Sequence, residues 1–571
     1  MQLGKILVSG LFFLVAGCEQ PSTNVDSSSI AVVGGAEQPC SLEKTTSRPV
    51  TKPTVTAKDL HIRIKTIASD RLAGRRPAIP CEGVTLDHLV DQFKTIGLSP
   101  ASETGYLQEV PLVELTANPD VQLTVSRADR KRDYIYKDDM IVWTNRMVNQ
   151  VNIEQSEMVF VGYGIVAPEY GWDDYAGIDV TGKTVVMLVN DPGFATQDPA
   201  IFKGNTMTYY GRWTYKYEEA ARQGAAAALI IHETAPAAYP WTTVQTTWGG
   251  SHLGLVAVDK NMSKVGIEGW VSLETGQDIV HRSGYDYGAL KLRAAKKGFT
   301  PFLLNATASM TLNSSYEISM SHNVIGYIPG SVRPDEFILY MAHWDHFGQD
   351  PELLSEDKIY NGALDNATGV AALLEIAEAF SNMEKPPERS VVFVSTTAEE
   401  YGLLGSEYYA KSPPFPLGQT VAGINIDGLN IIGRTHDMAV IGAGLSELEG
   451  YLARALAVKG RIVIPEAFPE KGYYYRSDHF NLAKKGVPML YAGSGMDSLD
   501  HGREWGMQQA ENYVSRNYHQ TSDNYDPEWD LTGAAEDVMI YVTVGQTLAN
   551  EQRWPNWNQG TEFRAIRDRM R

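Results

Sequence analysis

The chain has 571 residues and a formal net charge of −20, long enough to bury a large core and to hold two or more domains. The acidic balance argues against a general nucleic-acid binder, because phosphate binding needs clustered Lys and Arg. Only Cys18, Cys40 and Cys81 are present and none has CxxC spacing, which argues against a cysteine-ligated zinc.

The chain opens with Lys5, an apolar run from Ile6 to Val15 too short to span a bilayer, and Val15-Ala16-Gly17-Cys18. This resembles a bacterial lipoprotein signal, with residues 1–17 removed and Cys18 lipidated as a membrane anchor; a cleaved signal with an incidental Cys is the alternative. Because Glu19 is not the Asp linked with inner-membrane retention, the expected location is the bacterial cell envelope, as an outer-membrane lipoprotein facing the periplasm or the exterior. Residues 18–56, polar and containing Ser and Pro, read as a flexible tether. In an oxidising compartment Cys40 and Cys81 either pair or remain thiols.

From Ala57 to about Leu98 the periodicity is helical, with Leu60, Ile64 and Ile67 on one face and, after a break at 73–83, Leu86, Leu89, Val90 and Phe93 on another. Gly97 stops the second helix. These read as packing helices without chemistry. Residues 151–293 are rich in glycines and aromatics but hold no cluster of potential ligands, and Asp173-Asp174 reads as solvated surface.

From about Tyr316 onward strands and helices alternate, the pattern of a mixed, mostly parallel sheet flanked by helices, an α/β fold. The strand in FILYMAHWDHFG stops at His343, and in open α/β sheets ligands gather beyond the carboxyl ends of strands. Asp365 sits just before a helix with Val370, Leu373, Leu374, Ala377 and Phe380 as its apolar stripe, where a capping role is the plain alternative. Glu399-Glu400 follow the strand Ser390–Ser395, and adjacent carboxylates there cost energy unless cations neutralise them. Asp427 ends the strand from Val421, and His519 precedes the turn-rich QTSDNYDP. Two His and three carboxylates suit two zinc ions. In that reading His343 and Asp427 complete one site, Glu400 and His519 the other, Asp365 bridges them, and Glu399 is free to be a base.

The stretches AHWDHFG, GALDNATG, TAEEYGLLGS, NIDG, RSDHFNLAKKGVPMLY and YHQTSDNYD, in this order, resemble the co-catalytic zinc exopeptidases of the M28 type. The resemblance covers about residues 57–550 and implies the same six roles, with Asp345 orienting His343. VFVGYGIVAPEYGWDDYAGIDVTGKTVVMLVNDP and YYGRWTYKYEEAARQGAAAALIIHET resemble an inserted, β-rich protease-associated domain, a shaper of substrate access. The expected organisation is therefore 57–150 as the first part of the peptidase domain, 151–293 as the insert, 294–552 as the rest of the peptidase, and 553–571 as a tail carrying Trp554 and Trp557.

Tyr518, next to His519, is the candidate donor to a tetrahedral oxyanion, with a buried core aromatic as the other reading. His346 reads as packing or support for a ligand. Ser477, Asp478 and His479 are neighbours and so a poor triad; with Arg476 they suit the pocket rim. Asp497, Asp500 and His501 read as loop hydrogen bonding. The expected activity is removal of N-terminal residues from peptides by a two-zinc peptidase, since no arginine cluster stands out for a substrate carboxylate. The alternatives are a carboxypeptidase for acidic dipeptides and a non-catalytic binding protein of the same fold.

Overall fold

In the computed structural model residues 54–571 are described; the expected signal, Cys18, Cys40 and the tether up to residue 53 lie outside them. Among the described residues no helix is long and apolar enough to cross a membrane. Cys81 is disulfide-bonded.

The helix Ala57–Ile67 begins where the Thr56 side chain accepts the Asp59 N–H, and it buries Leu60, Ile64 and Ile67. Glu82–Ile96 buries Leu86, Leu89 and Phe93 and ends at Gly97, whose φ of 91° suits glycine. Both pack on the helix Thr368–Ser381, in one apolar core with the helix Thr532–Asn550.

The main sheet runs, in spatial order, Ser251–Leu255, Leu107–Ala117, the second half of Phe302–Ile328, Arg389–Thr396, Arg333–His343, Thr420–Asn425, Met489–Gly493, Asp437–Val440 and Ile462–Pro465. From Arg389–Thr396 to Met489–Gly493 the strands are parallel. Every residue of Arg389–Thr396 and of Thr420–Asn425 is buried, as parallel strands covered on both faces require. One face meets the helical core, and the other meets a cluster with Phe415, Leu482 and Val487. The tail packs back on this unit: Trp557 is buried with its Nε1 donating to Gly486 O, and the Arg389, Arg567 and Arg571 guanidinium groups lie over Trp554.

A second sheet runs Arg130–Ile135, Gln122–Arg127, the first half of Phe302–Ile328, Gln150–Phe160, Thr184–Leu188, Ala227–Ile231, Ile267–Val271 and Met140–Trp143. Its middle strands are parallel and apolar clusters lie on both sides, so this region is layered α/β and not simply β-rich. It also begins before residue 151 and continues past 293. The early strands are hidden in the sequence by charge, since Arg130–Ile135 exposes every residue but Tyr134. Phe302–Ile328 is one continuous strand of 27 residues that serves both sheets.

Asp174, read from the sequence as solvated, is buried: it accepts the Tyr163 and Ile165 N–H groups and the Trp172 Nε1–H. A carboxylate that accepts three hydrogen bonds can be buried where an unpaired one cannot.

Candidate metal centre

Three neighbouring parallel strands deliver their following residues to one edge of the main sheet. His343 is the last residue of Arg333–His343, in register with Thr396; Glu399 and Glu400 follow Thr396, and Asp427 follows Thr420–Asn425. Asp365 arrives on the turn Ala363–Ala367 ahead of the helix Thr368–Ser381. It does not cap that helix, whose N-cap is Ala367. His519, with φ 59°, follows the helix Arg503–Arg516.

The side chains converge on Asp365. Its Oδ1 lies 3.3 Å from His343 Nε2, and its Oδ2 lies 3.2 Å from His519 Nε2. His343 Nε2 is also 3.4 Å from Asp427 Oδ1, and His519 Nε2 is 3.2 Å from Glu400 Oε2. Ligand atoms of His343, Asp365 and Asp427 lie within 4.8 Å of one another, as do those of His346, Asp365 and Glu400. Glu399 is 8% exposed and lines the same cleft.

Supporting groups hold each candidate ligand. The Asp345 carbonyl, not its carboxylate, is the near partner of His343 Nδ1, at 3.1 Å against 3.8 Å. The Asp345 carboxylate instead accepts the Glu399 N–H at 3.0 Å and the Glu400 N–H at 3.4 Å. His346 Nδ1 lies 2.5 Å from Glu400 Oε1, so the two oxygens of Glu400 face two different histidines. Ser477 Oγ donates to Asp427 Oδ2 at 2.6 Å. Asp523 accepts the Leu364 and Asp365 N–H groups, and the Asn366 amide joins Gly369 N, Gly428 N and Ile426 O.

Asp523 and Asn366 do not stand out in the sequence, because they hold backbone, and a residue type alone does not reveal that role. Ser477 stands out only as a neighbour of Asp478. Asp478 itself accepts from Thr396 Oγ1, and His479 is buried between Tyr474 and Tyr491. Asp500 and His501 lie farther along the cleft wall, where the His501 ring sits 4.4 Å from that of Trp505.

The donor set fits a divalent metal. His343 Nε2 is buried and makes no hydrogen bond, although two carboxylates are within 3.4 Å. Without a cation the charges must be carried by protons. Burial opposes protonation of His343, yet the Glu399 charge and the contacts with Asp365 and Asp427 raise its pKa well above the ordinary value. For His519 burial likewise opposes, but Glu400 and Asp365 raise the pKa to about 10. A metal ion replaces those protons with one cation among nitrogen and oxygen donors, the ligand chemistry zinc accepts.

The cluster opens into a cleft of about 1380 Å³ that is walled by both sheets' regions. Arg212 and Trp213 reach it from the second region, and Arg476, Tyr491 and Tyr518 from the first. The Tyr518 ring is partly exposed and stacks on His519 with centroids 3.8 Å apart, so it is not a core aromatic. Arg212 has a buried Nε without a partner, and burial together with the Arg476 charge lowers its pKa to about 10. The sequence shows no arginine cluster because these two are far apart along the chain.

Residues 323–543 match the model of peptidase family M28. A 138-residue stretch is 33% identical to the mouse aminopeptidase NAALADL1, covering 23% of this chain and 17% of that protein. A 124-residue stretch is 32% identical to a probable glutamate carboxypeptidase of Arabidopsis thaliana, covering 20% of this chain and 16% of that one. The chain thus spans about a sixth of the length of these curated relatives. Among solved structures, an aminopeptidase from Aneurinibacillus sp. strain AM-1 aligns with a TM-score of 0.47 at 20% identity, over 88% of this chain and 95% of that one. With its candidate ligands inside the matched residues, the chain carries a domain of peptidase family M28.

Proposed function

We propose that the chain is a two-zinc exopeptidase that releases N-terminal residues from peptides. The observation that carries this reading is Asp365, whose opposite oxygens face His343 and His519. His343 and Asp427 would hold one ion, Glu400 and His519 the other, with Asp365 shared. Zinc held there supplies Lewis acidity that acidifies the attacking water and polarises the scissile carbonyl.

Glu399 takes the proton from that water and passes it to the leaving amine. Burial pushes the Glu399 carboxyl well above the usual range, with Asp427 and Glu400 adding to the shift and His343 opposing it. Tyr518 offers its O–H to the carbonyl oxygen as negative charge grows there, and Asp345 fixes the Glu399-Glu400 backbone. The acidic surroundings favour a substrate's free amine. The second sheet region, read as a protease-associated insert, forms the far wall of the cleft, and Cys18 lipidation would place the enzyme at the envelope membrane.

Arg212 and Arg476 favour a second reading, in which a substrate carboxylate docks between them and the residue is released from the carboxyl end. Paired unblocked and N-acetylated short peptides, with and without a chelator, separate the two. Chelator-sensitive release of the N-terminal residue from the unblocked peptide alone is expected, with activity restored by zinc. Cleavage of both from the carboxyl end replaces the first reading with the second, and no cleavage by zinc-loaded protein removes both.

A further inference from the structure

We propose that Arg75 is a positioning residue for the metal centre, setting the separation of the loops that carry His343 and Asp365 and thereby the affinity for metal. This rests on the zinc reading of the cluster. Arg75 belongs to the N-terminal region, which in the sequence reads as packing alone. It is 1% exposed.

Its guanidinium donates four hydrogen bonds, all to backbone carbonyls. Nε meets Trp344 O at 2.7 Å, Nη1 meets Ile67 O at 2.9 Å and Asn361 O at 2.5 Å, and Nη2 meets Gly362 O at 3.0 Å. Trp344 follows His343, and Gly362 opens the turn that presents Asp365. The Arg75 carbonyl accepts the His346 N–H at 3.3 Å, and His346 in turn faces Glu400. One residue therefore joins the segments bearing two candidate ligands, His343 and Asp365, and braces the His346 that faces a third, Glu400. The planar fork of Arg suits this geometry, which the single ammonium of Lys cannot reproduce.

The same arrangement puts a positive charge within electrostatic reach of Asp345, Asp523, Asp365 and Glu400. Because every donor ends on a carbonyl, that charge occupies none of the oxygens a metal needs. A purely structural staple would also be buried and fully bonded, but it would have no reason to lie between two ligand loops. The neighbouring chain is fitted to the same loop: a Cβ on Gly74, where φ is +67°, would meet Gly348 O at 2.2 Å.

The test measures the zinc dissociation constant of the full chain by competition with a chromophoric chelator, beside thermal melting of the zinc-free protein, for wild type, Arg75→Lys and Arg75→Met. Arg75→Met is expected to weaken zinc binding by roughly 10- to 100-fold, the usual effect of losing a group that orients ligands. Arg75→Lys, which keeps the charge without the fork, is expected to fall between Arg75→Met and wild type. Variants that melt earlier but bind zinc with the wild-type constant would overturn the proposal and leave Arg75 a staple. Should both fail to fold, Asp70→Ala decides: the exposed Asp70 holds Asn361 Nδ2 at 2.7 Å from outside the core, and its loss is expected to weaken zinc binding in the same direction by less. An unchanged constant in that variant also overturns the proposal. Failure of wild type to bind zinc would instead overturn the underlying metal reading.

Discussion

Each sheet region has a buried group of titratable side chains, and the two are accommodated in opposite ways. In the second region Asp191 accepts the Gly193, Phe194 and Thr208 N–H groups and the Thr208 hydroxyl, while Lys216 Nζ donates to Tyr163 O and Tyr210 O. In the first, His343 Nε2 and His346 Nε2 are buried without a hydrogen bond, and Asp365, Glu399, Glu400 and Asp427 crowd around them. Burial alone therefore does not mark a functional site here. What separates these two groups of side chains is whether protein satisfies them, since unsatisfied buried polar atoms are costly unless a ligand completes them.

The largest expected effect is at Glu399. Glu399→Gln should lower kcat by about 10³-fold, within the range for losing a general acid–base group, while zinc content measured on the purified variant stays unchanged. Near-normal turnover with zinc bound would remove Glu399 from the mechanism. Next in size, Tyr518→Phe should lower kcat by roughly 10- to 100-fold with little change in KM, because its hydrogen bond is made as charge develops. An equal rise in KM with kcat intact would place Tyr518 in substrate binding instead.

The converse experiment belongs to the second region. Asp191→Ala should cost about 3 kcal/mol of stability by stranding buried donors, measured by denaturant unfolding, and should leave the zinc dissociation constant as it is. A loss of zinc affinity would show that the two regions are not separate in this respect.

The smallest effect is in pH. Burial raises the Asp191 carboxyl from 3.8 to about 6, against the opposing bonds from Thr208, and raises Asp174 to about 7. Between the unfolded and folded values the folded chain holds a proton that the unfolded chain has released. Stability present below about pH 4 is therefore lost as pH rises through about 6 to 7. Burial lowers Lys216 to about 7, so it is charged in both states across most of that window and adds little slope. Asp191→Asn should flatten the fall in melting temperature between pH 4 and 7, and an unchanged slope would show that Asp191 is ionised throughout.

Much of the peptidase region was legible because its chemistry is tied to strand ends. An apolar strand followed at once by His343, or by Asp427 one residue after Ile426, announces both the element and the edge of the sheet on which it ends. The second region was less legible. Its outer strands are charged, and the strand from Phe302 has no break to mark where one sheet gives way to the other. Asp174 looks like surface beside Asp173 because three neighbouring N–H donors that favour its burial come from backbone and from Trp172.

The sequence by itself determined which residues are candidate ligands and the order along the chain of the strands that deliver them, because periodicity and residue type are local. Only the tertiary structure decided that His346 and His519 face different oxygens of Glu400, that Asp345 holds the Glu399-Glu400 backbone, and that Arg75, Arg212 and Arg476 reach the site. Those facts depend on side-chain direction and on contacts between segments distant in the chain, neither of which a local pattern specifies.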